Sequence, residues 1–137
     1  MTNMPPPPTE MWKVRTGYAL SGVIALFLLA DAIMKLMQMP IVLETTAQLG
    51  WPIGSARPLG AVLLLVTALY VFPRTSTLGA ILLTGYLGGA IATHLRIGSP
   101  LLSHTLFGVY LGILAWAGLY LRDPRLQTLL PLAVRRC

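Results

Sequence analysis

The sequence predicts an all-α polytopic membrane protein, built as a bundle of four transmembrane helices. Of its 137 residues, 55% are hydrophobic, and the mean hydropathy is +0.74. Charged residues make up only 10% of the chain, whereas a typical soluble domain carries about 25%. Four apolar stretches of about 20 residues, the length that crosses a bilayer, follow one another along the chain. These observations argue against a soluble globule, and equally against a disordered chain, which needs low hydrophobicity.

The four predicted spans cover residues 16–39, 53–72, 77–97 and 103–121, and together form one membrane domain over residues 16–121. Pro40 and Pro73 end the first and second spans, because proline cannot continue a helix. Between these spans, the more polar residues 41–50 predict a short interfacial helix that ends at Gly50. The uncharged part of the second span is short, so either Arg57 reaches back to the interface or the helix extends back to Ile53.

Two tails flank the membrane domain: a proline-rich segment, residues 1–15, and a basic segment, residues 122–137. With four spans, both tails lie on one side of the membrane. That side holds seven Lys or Arg residues against three on the other, so the positive-inside rule predicts that both termini are cytoplasmic and that the protein lies in the cell inner (plasma) membrane. The net charge of +6 is therefore a topology signal, and no basic face with stacking aromatics suggests nucleic-acid binding.

Polar residues inside the spans need an explanation, because a charge within a bilayer costs at least a few kcal/mol. Asp31 and Lys35 interrupt the first span; His94 and Arg96 lie near the outer end of the third, and His104 opens the fourth. The order of the spans brings all of these residues to the outer half of the membrane. Asp31 and Lys35 are four residues apart and can pair on one helix face, so a purely structural ion pair is one interpretation.

The same cluster can support chemistry. Asp31 and His94 are the candidate catalytic residues, as a hypothetical acid–base pair that exchanges protons with a substrate. Lys35 and Arg96 could bind an anion or the carbonyl of a quinone. No metal site is predicted, because the chain lacks local ligand spacing such as HxxxH. The candidate substrate-binding residues are Lys35, Tyr86, Arg96, His104 and Tyr110.

Small residues recur at helical spacing in the last two spans. Gly85 and Gly89, Gly88 and Ala92, and Gly108 and Gly112 form small-xxx-small pairs, which allow helices to approach closely in lipid. We expect them to serve helix contacts, within the chain or in a homodimer. A ligand channel beside the glycines is the alternative. The single cysteine, Cys137, excludes an internal disulfide and a thiol relay within the chain.

Several of these motifs resemble one family. The block GYLGGAIATHLRIG, residues 85–98, is followed by Pro100 and a last span rich in glycine and aromatic residues. The segment LGWP, residues 49–52, precedes the second span, and Gly79 follows the turn at Pro73. Together these features resemble the DoxX-like proteins, over about residues 16–131.

The resemblance implies a four-helix membrane protein and a link to redox chemistry, since the family includes a subunit of thiosulfate:quinone oxidoreductase. It favours a redox-associated subunit that handles a quinone or another lipophilic small molecule beside a partner membrane protein. Two alternatives stay open. One is a stand-alone intramembrane acid–base enzyme, an isomerase or hydrolase of a hydrophobic compound. The other is a non-enzymatic assembly or scaffold protein.

Overall fold

A computed structural model describes residues 8–132, and within this range the chain is helical with no strand. The all-α prediction is thereby confirmed. A single π-helical turn, Leu101–Thr105, leads into the fifth α-helix. The six α-helices are α1 (Pro8–Leu36), α2 (Pro40–Gln48), α3 (Ala56–Val71), α4 (Ser76–Arg96), α5 (Phe107–Arg122) and α6 (Pro124–Leu129).

Three helical segments are long and apolar enough to cross a membrane: Glu10–Leu36, Ser76–Arg96 and Leu101–Arg122. The fourth apolar helix, α3, has 16 residues. At 1.5 Å per residue it is about 24 Å long, shorter than the hydrocarbon core of about 30 Å. Residues 8–132 thus contain three helices of spanning length and one shorter apolar helix.

The helix ends differ in places from the predicted spans. The described part of the first helix starts at Pro8, so this helix includes residues of the predicted tail. Gly54 has φ +99°, outside the helical region, so α3 does not extend back to Ile53. Arg57 therefore lies in the first turn of α3. The predicted short helix after Pro40 is confirmed as α2.

Towards the C-terminus, α5 ends at Arg122, and Asp123 is the N-cap of the next helix, α6. The Asp123 carboxylate accepts a hydrogen bond from the Arg125 backbone N–H at 2.9 Å, which is an N-cap for α6. Residues 1–7 and 133–137 lie outside the described residues. The Pro5–Pro8 run is thus described only from Pro8, and Cys137 falls outside.

The four long helices pack in a ring: α1 contacts α3 and α5, and α4 contacts the same two helices. Tyr70 of α3 is fully buried in this core. Its hydroxyl donates to the backbone carbonyl of Ala115 in α5 at 2.7 Å, and lies 3.1 Å from the Ser21 hydroxyl of α1. One buried side chain thereby joins three helices.

Glycines determine how closely these helices approach each other. Only some of the glycines at helix contacts belong to the small-xxx-small pairs of the sequence. Gly108 confirms the prediction, since a Cβ there would lie 2.9 Å from Ile91 of α4. The prediction is wrong within the chain for Gly85, Gly88 and Gly89, where a Cβ would meet nothing within 4 Å. The sequence pattern did not indicate four further close approaches, at which a Cβ on the glycine would lie less than 3 Å from an atom of a neighbouring helix. They are at Gly17, Gly60, Gly79 and Gly118.

Candidate functional site

A cavity of about 540 Å³ lies where the C-terminal ends of α1 and α4 meet the start of α5. The helix α2 and the π-helical turn complete its wall. Most of the wall is hydrocarbon; Phe27 of α1 and Phe107 of α5 meet edge to face at 5.6 Å on one side. The predicted residues that line this cavity are Asp31, Lys35, Tyr86, His94 and His104.

Asp31 and Lys35 form an ion pair one helical turn apart, as their spacing predicted. It is the only salt bridge among residues 8–132. The Lys35 side chain is 19% exposed and the Asp31 side chain 36%, so the pair lies at the cavity wall and not in the core. Gly60 of α3 lies close to the start of the Lys35 side chain, since a Cβ on Gly60 would come within 2.8 Å of the Lys35 Cβ.

The two histidines face each other across the junction of α4 and the π-helical turn, with ring centroids 6.0 Å apart. The Nδ1 of His94 lies 3.0 Å from the Ser99 hydroxyl, and the Nδ1 of His104 lies 2.7 Å from the Ser103 hydroxyl. A neutral imidazole has one donor and one acceptor nitrogen. A serine that donates to Nδ1 therefore fixes Nε2–H as the donor that a ligand can use.

The candidate catalytic residues share the cavity but do not touch. Asp31 is engaged by Lys35 and His94 by Ser99, and within residues 8–132 neither hydrogen-bonds the other. A proton could pass between them only through a molecule bound in the cavity. Asp31 and His94 therefore line the same cavity as two separate polar groups and do not form a hydrogen-bonded dyad.

Two predicted substrate-binding residues lie outside the wall. Arg96 donates from Nη2 to the backbone carbonyl of Leu49 at 2.9 Å, and so ties the end of α4 to the loop after α2. Tyr110 is 45% exposed and does not line the cavity. With Arg96 outside, the charged groups on the wall are the paired Asp31 and Lys35, and the wall is formally neutral when both histidines are neutral.

The contribution of α2 was missed in the sequence, although a signal for it exists. Residues 41, 42, 45, 46 and 49 all line the cavity, and their spacing is that of one helix face. The hydroxyls of Thr45 and Thr46 donate to carbonyls one turn back, at 2.7 and 2.6 Å, so they present mainly methyl groups. Trp51, just beyond this helix, also lines the cavity.

Gly85 and Gly89 supply part of the space in the cavity. Both line it, and no atom of a neighbouring helix comes within 4 Å of where their Cβ atoms would be. The sequence allowed either a helix contact or a ligand channel at these glycines. The structure has them beside a cavity and not in a helix contact within the chain. Among the described residues, no group of three His, Cys, Asp or Glu side chains is arranged to hold a metal ion.

The chain belongs to the DoxX-like family, whose family model matches residues 19–118. The resemblance found in the sequence is thereby confirmed, and the match includes α2, α3, α4 and all the residues that line the cavity. No curated protein and no solved structure matches the chain.

Proposed function

Starting from its membership of the DoxX-like family, we propose that this membrane protein binds a neutral lipophilic small molecule, such as a quinone, in the cavity at Asp31 and His94. In this proposal it acts as a subunit that presents the molecule to a partner redox protein. The observation that carries the proposal is the chemistry of the wall: hydrocarbon over most of its extent, with the hydrogen-bonding side chains of Lys35, His94 and His104 among its lining residues. Such a wall suits an amphiphilic ligand with a polar head.

Formal neutrality of the wall favours a carbonyl over an anion. The Lys35 ammonium is already neutralised by Asp31, and Arg96 is engaged elsewhere. A bound anion would need an unpaired cation, whereas a quinone carbonyl needs only a donor. Lys35 has three N–H donors, of which Asp31 occupies one, and each histidine offers Nε2–H in the tautomer whose Nδ1 accepts from its serine.

We also propose that α3 crosses the membrane as the fourth span of a bundle, with Arg57 reaching to the lipid headgroups. The termini are then cytoplasmic and the cavity lies in the outer half of an inner (plasma) membrane. The outward-facing pair Gly88 and Ala92 is where a second copy would pack in a homodimer.

The acid–base enzyme and the scaffold protein are the alternatives. For the enzyme, the supporting observation is that Asp31 and His94 line one cavity. Their separate partners weaken it, because a general base needs to be free to take a proton. For the scaffold, the Asp31–Lys35 pair would be structural only, and replacing both residues with leucine would leave function intact.

Ligand binding can be measured through Trp51, which lines the cavity and is one of three tryptophans. A variant with Trp12→Phe and Trp116→Phe, reconstituted in phosphatidylcholine nanodiscs, keeps only this fluorophore. Titration with decylubiquinone is expected to quench Trp51 fluorescence to saturation. Gly89→Leu, which places a side chain inside the cavity, should abolish the saturable part.

Gly22→Leu is the matched control, because Gly22 lies on α1, lines neither this cavity nor any other described, and has no atom within 4 Å of its Cβ position. It should leave the binding curve unchanged. Quenching that rises linearly with quinone and is the same in both leucine variants would reject the proposal, since it would report quinone dissolved in lipid.

A further inference from the structure

A second cavity, of about 220 Å³, lies at the opposite end of the helix ring from the first. We call it the Arg122 pocket. The turn between α3 and α4 and the junction of α5 and α6 form it, with Tyr18 of α1 on one side. Its charged lining residues are Arg74, Arg122, Asp123 and Arg125.

The Arg122 side chain is held in a fixed position. Its guanidinium carbon lies 5.2 Å from the ring centre of Tyr70 and 5.7 Å from that of Tyr18, both within cation–π distance. Its Nη2 donates to the Tyr70 backbone carbonyl at 2.8 Å. Its Nε is buried and has no hydrogen-bond partner in the described part of the chain. The guanidinium therefore carries donors that the helices leave unused.

The pocket has an excess of positive charge. Three arginines face one carboxylate, that of Asp123, which already accepts the Arg125 backbone N–H as the N-cap of α6. No ion pair forms between these arginines and an acidic side chain in the described residues, where Lys35 and Asp31 form the only salt bridge. The formal charge of the lining is thus +2, with no counter-charge to balance it.

We infer that the Arg122 pocket binds a phosphate group, and that the headgroup of an anionic phospholipid is its occupant. Arginine forms paired, charge-assisted hydrogen bonds with phosphate oxygens in a planar geometry. Basic pockets between the ends of membrane helices are typical sites for anionic lipid headgroups. The pocket lies at the turn between two apolar helices, which is where headgroups lie when these helices are in a bilayer. The Arg122 pocket shares no residue with the first cavity, so a negative result at one site does not bear on the other.

Native mass spectrometry of the detergent-purified protein with added phosphatidylglycerol or phosphatidylcholine tests this inference. We expect phosphatidylglycerol to be retained in preference to phosphatidylcholine. Arg74→Gln and Arg125→Gln should each weaken its binding about fivefold. Asp123→Asn should strengthen binding, because it removes the negative charge while an asparagine still caps α6. Arg15→Gln is the matched control, an exposed arginine on α1 outside the pocket.

Inorganic phosphate distinguishes the two sources of the phosphate group. Displacement of phosphatidylglycerol by millimolar phosphate would identify the free ion as a sufficient ligand, and resistance to it would identify the intact lipid. Equal retention of both lipids would overturn the inference. So would an Arg15→Gln effect as large as that of Arg74→Gln, because binding would then follow total charge.

Discussion

The two classes of glycine in this fold should respond oppositely to the same substitution, an exchange for alanine. Gly118 lies where α5 crosses α1, and Gly89 lies on the open cavity wall of α4. We predict that Gly118→Ala destabilises the protein and that Gly89→Ala stabilises it.

The magnitudes follow from the surroundings of each Cβ position. At Gly89 the new methyl meets nothing within 4 Å, so only the helix propensity changes, by about 1 kcal/mol in favour of alanine. At Gly118 the same gain is opposed by contacts at 2.8 Å to the Ser21 hydroxyl and 3.0 Å to its backbone nitrogen. Overpacking of this kind costs about 1–3 kcal/mol. The cost at Gly118 should lie at the upper end, about 3 kcal/mol, because the backbone nitrogen of Ser21 cannot rotate away as a side chain can. The two free energies of unfolding should then differ by about 3 kcal/mol.

Equilibrium unfolding in mixed micelles of dodecylmaltoside and increasing SDS, followed by tryptophan fluorescence, measures both values against the unsubstituted chain. Equal effects of the two substitutions would refute the reasoning, because the helices would then not approach at Gly118 as the structure has them. The same result would remove the distinction between packing glycines and cavity glycines.

The remaining predictions concern single polar side chains. Tyr70→Phe removes the hydrogen bond to the Ala115 carbonyl and should lower the free energy of unfolding by about 1–3 kcal/mol in the same assay. The double variant Asp31→Asn/Lys35→Met should lower the free energy of unfolding by about 1 kcal/mol less than the sum of the two single variants, and this difference is the coupling energy of the pair. Additive effects of the two single variants would mean that the pair is broken in the membrane. Tyr110→Phe should leave decylubiquinone quenching of Trp51 unchanged, because Tyr110 lies outside the cavity wall; a weakened response would place it in the site.

Hydropathy and proline positions predicted the helices well, because burial in lipid imposes its own length and composition on a segment. The convergence of Asp31, Lys35, His94 and His104 was also predictable, since the order of the spans alone places them at one end. The shape of the site was not. Which face of α4 meets α5 depends on packing, and only the structure shows that Gly89 faces open space.

Arg96 illustrates the same limit. Its position in the sequence near His94 made it a candidate ligand contact, but its long side chain donates instead to the backbone carbonyl of Leu49. Conversely, the spacing of residues 41, 42, 45, 46 and 49 indicates the cavity face of α2, although two of these residues are threonines. Side chains that are polar by composition can present methyl groups when their hydroxyls bond to their own helix.

The most direct test of the central claim is photo-crosslinking with an azido-quinone in phosphatidylcholine nanodiscs, followed by peptide mapping of the labelled sites. The account predicts labels on the C-terminal half of α1, on α2 and on α4 around Gly89, all of them removed by excess decylubiquinone and by Gly89→Leu. Labels spread along the lipid-facing surface, or labels that persist in Gly89→Leu, would contradict it.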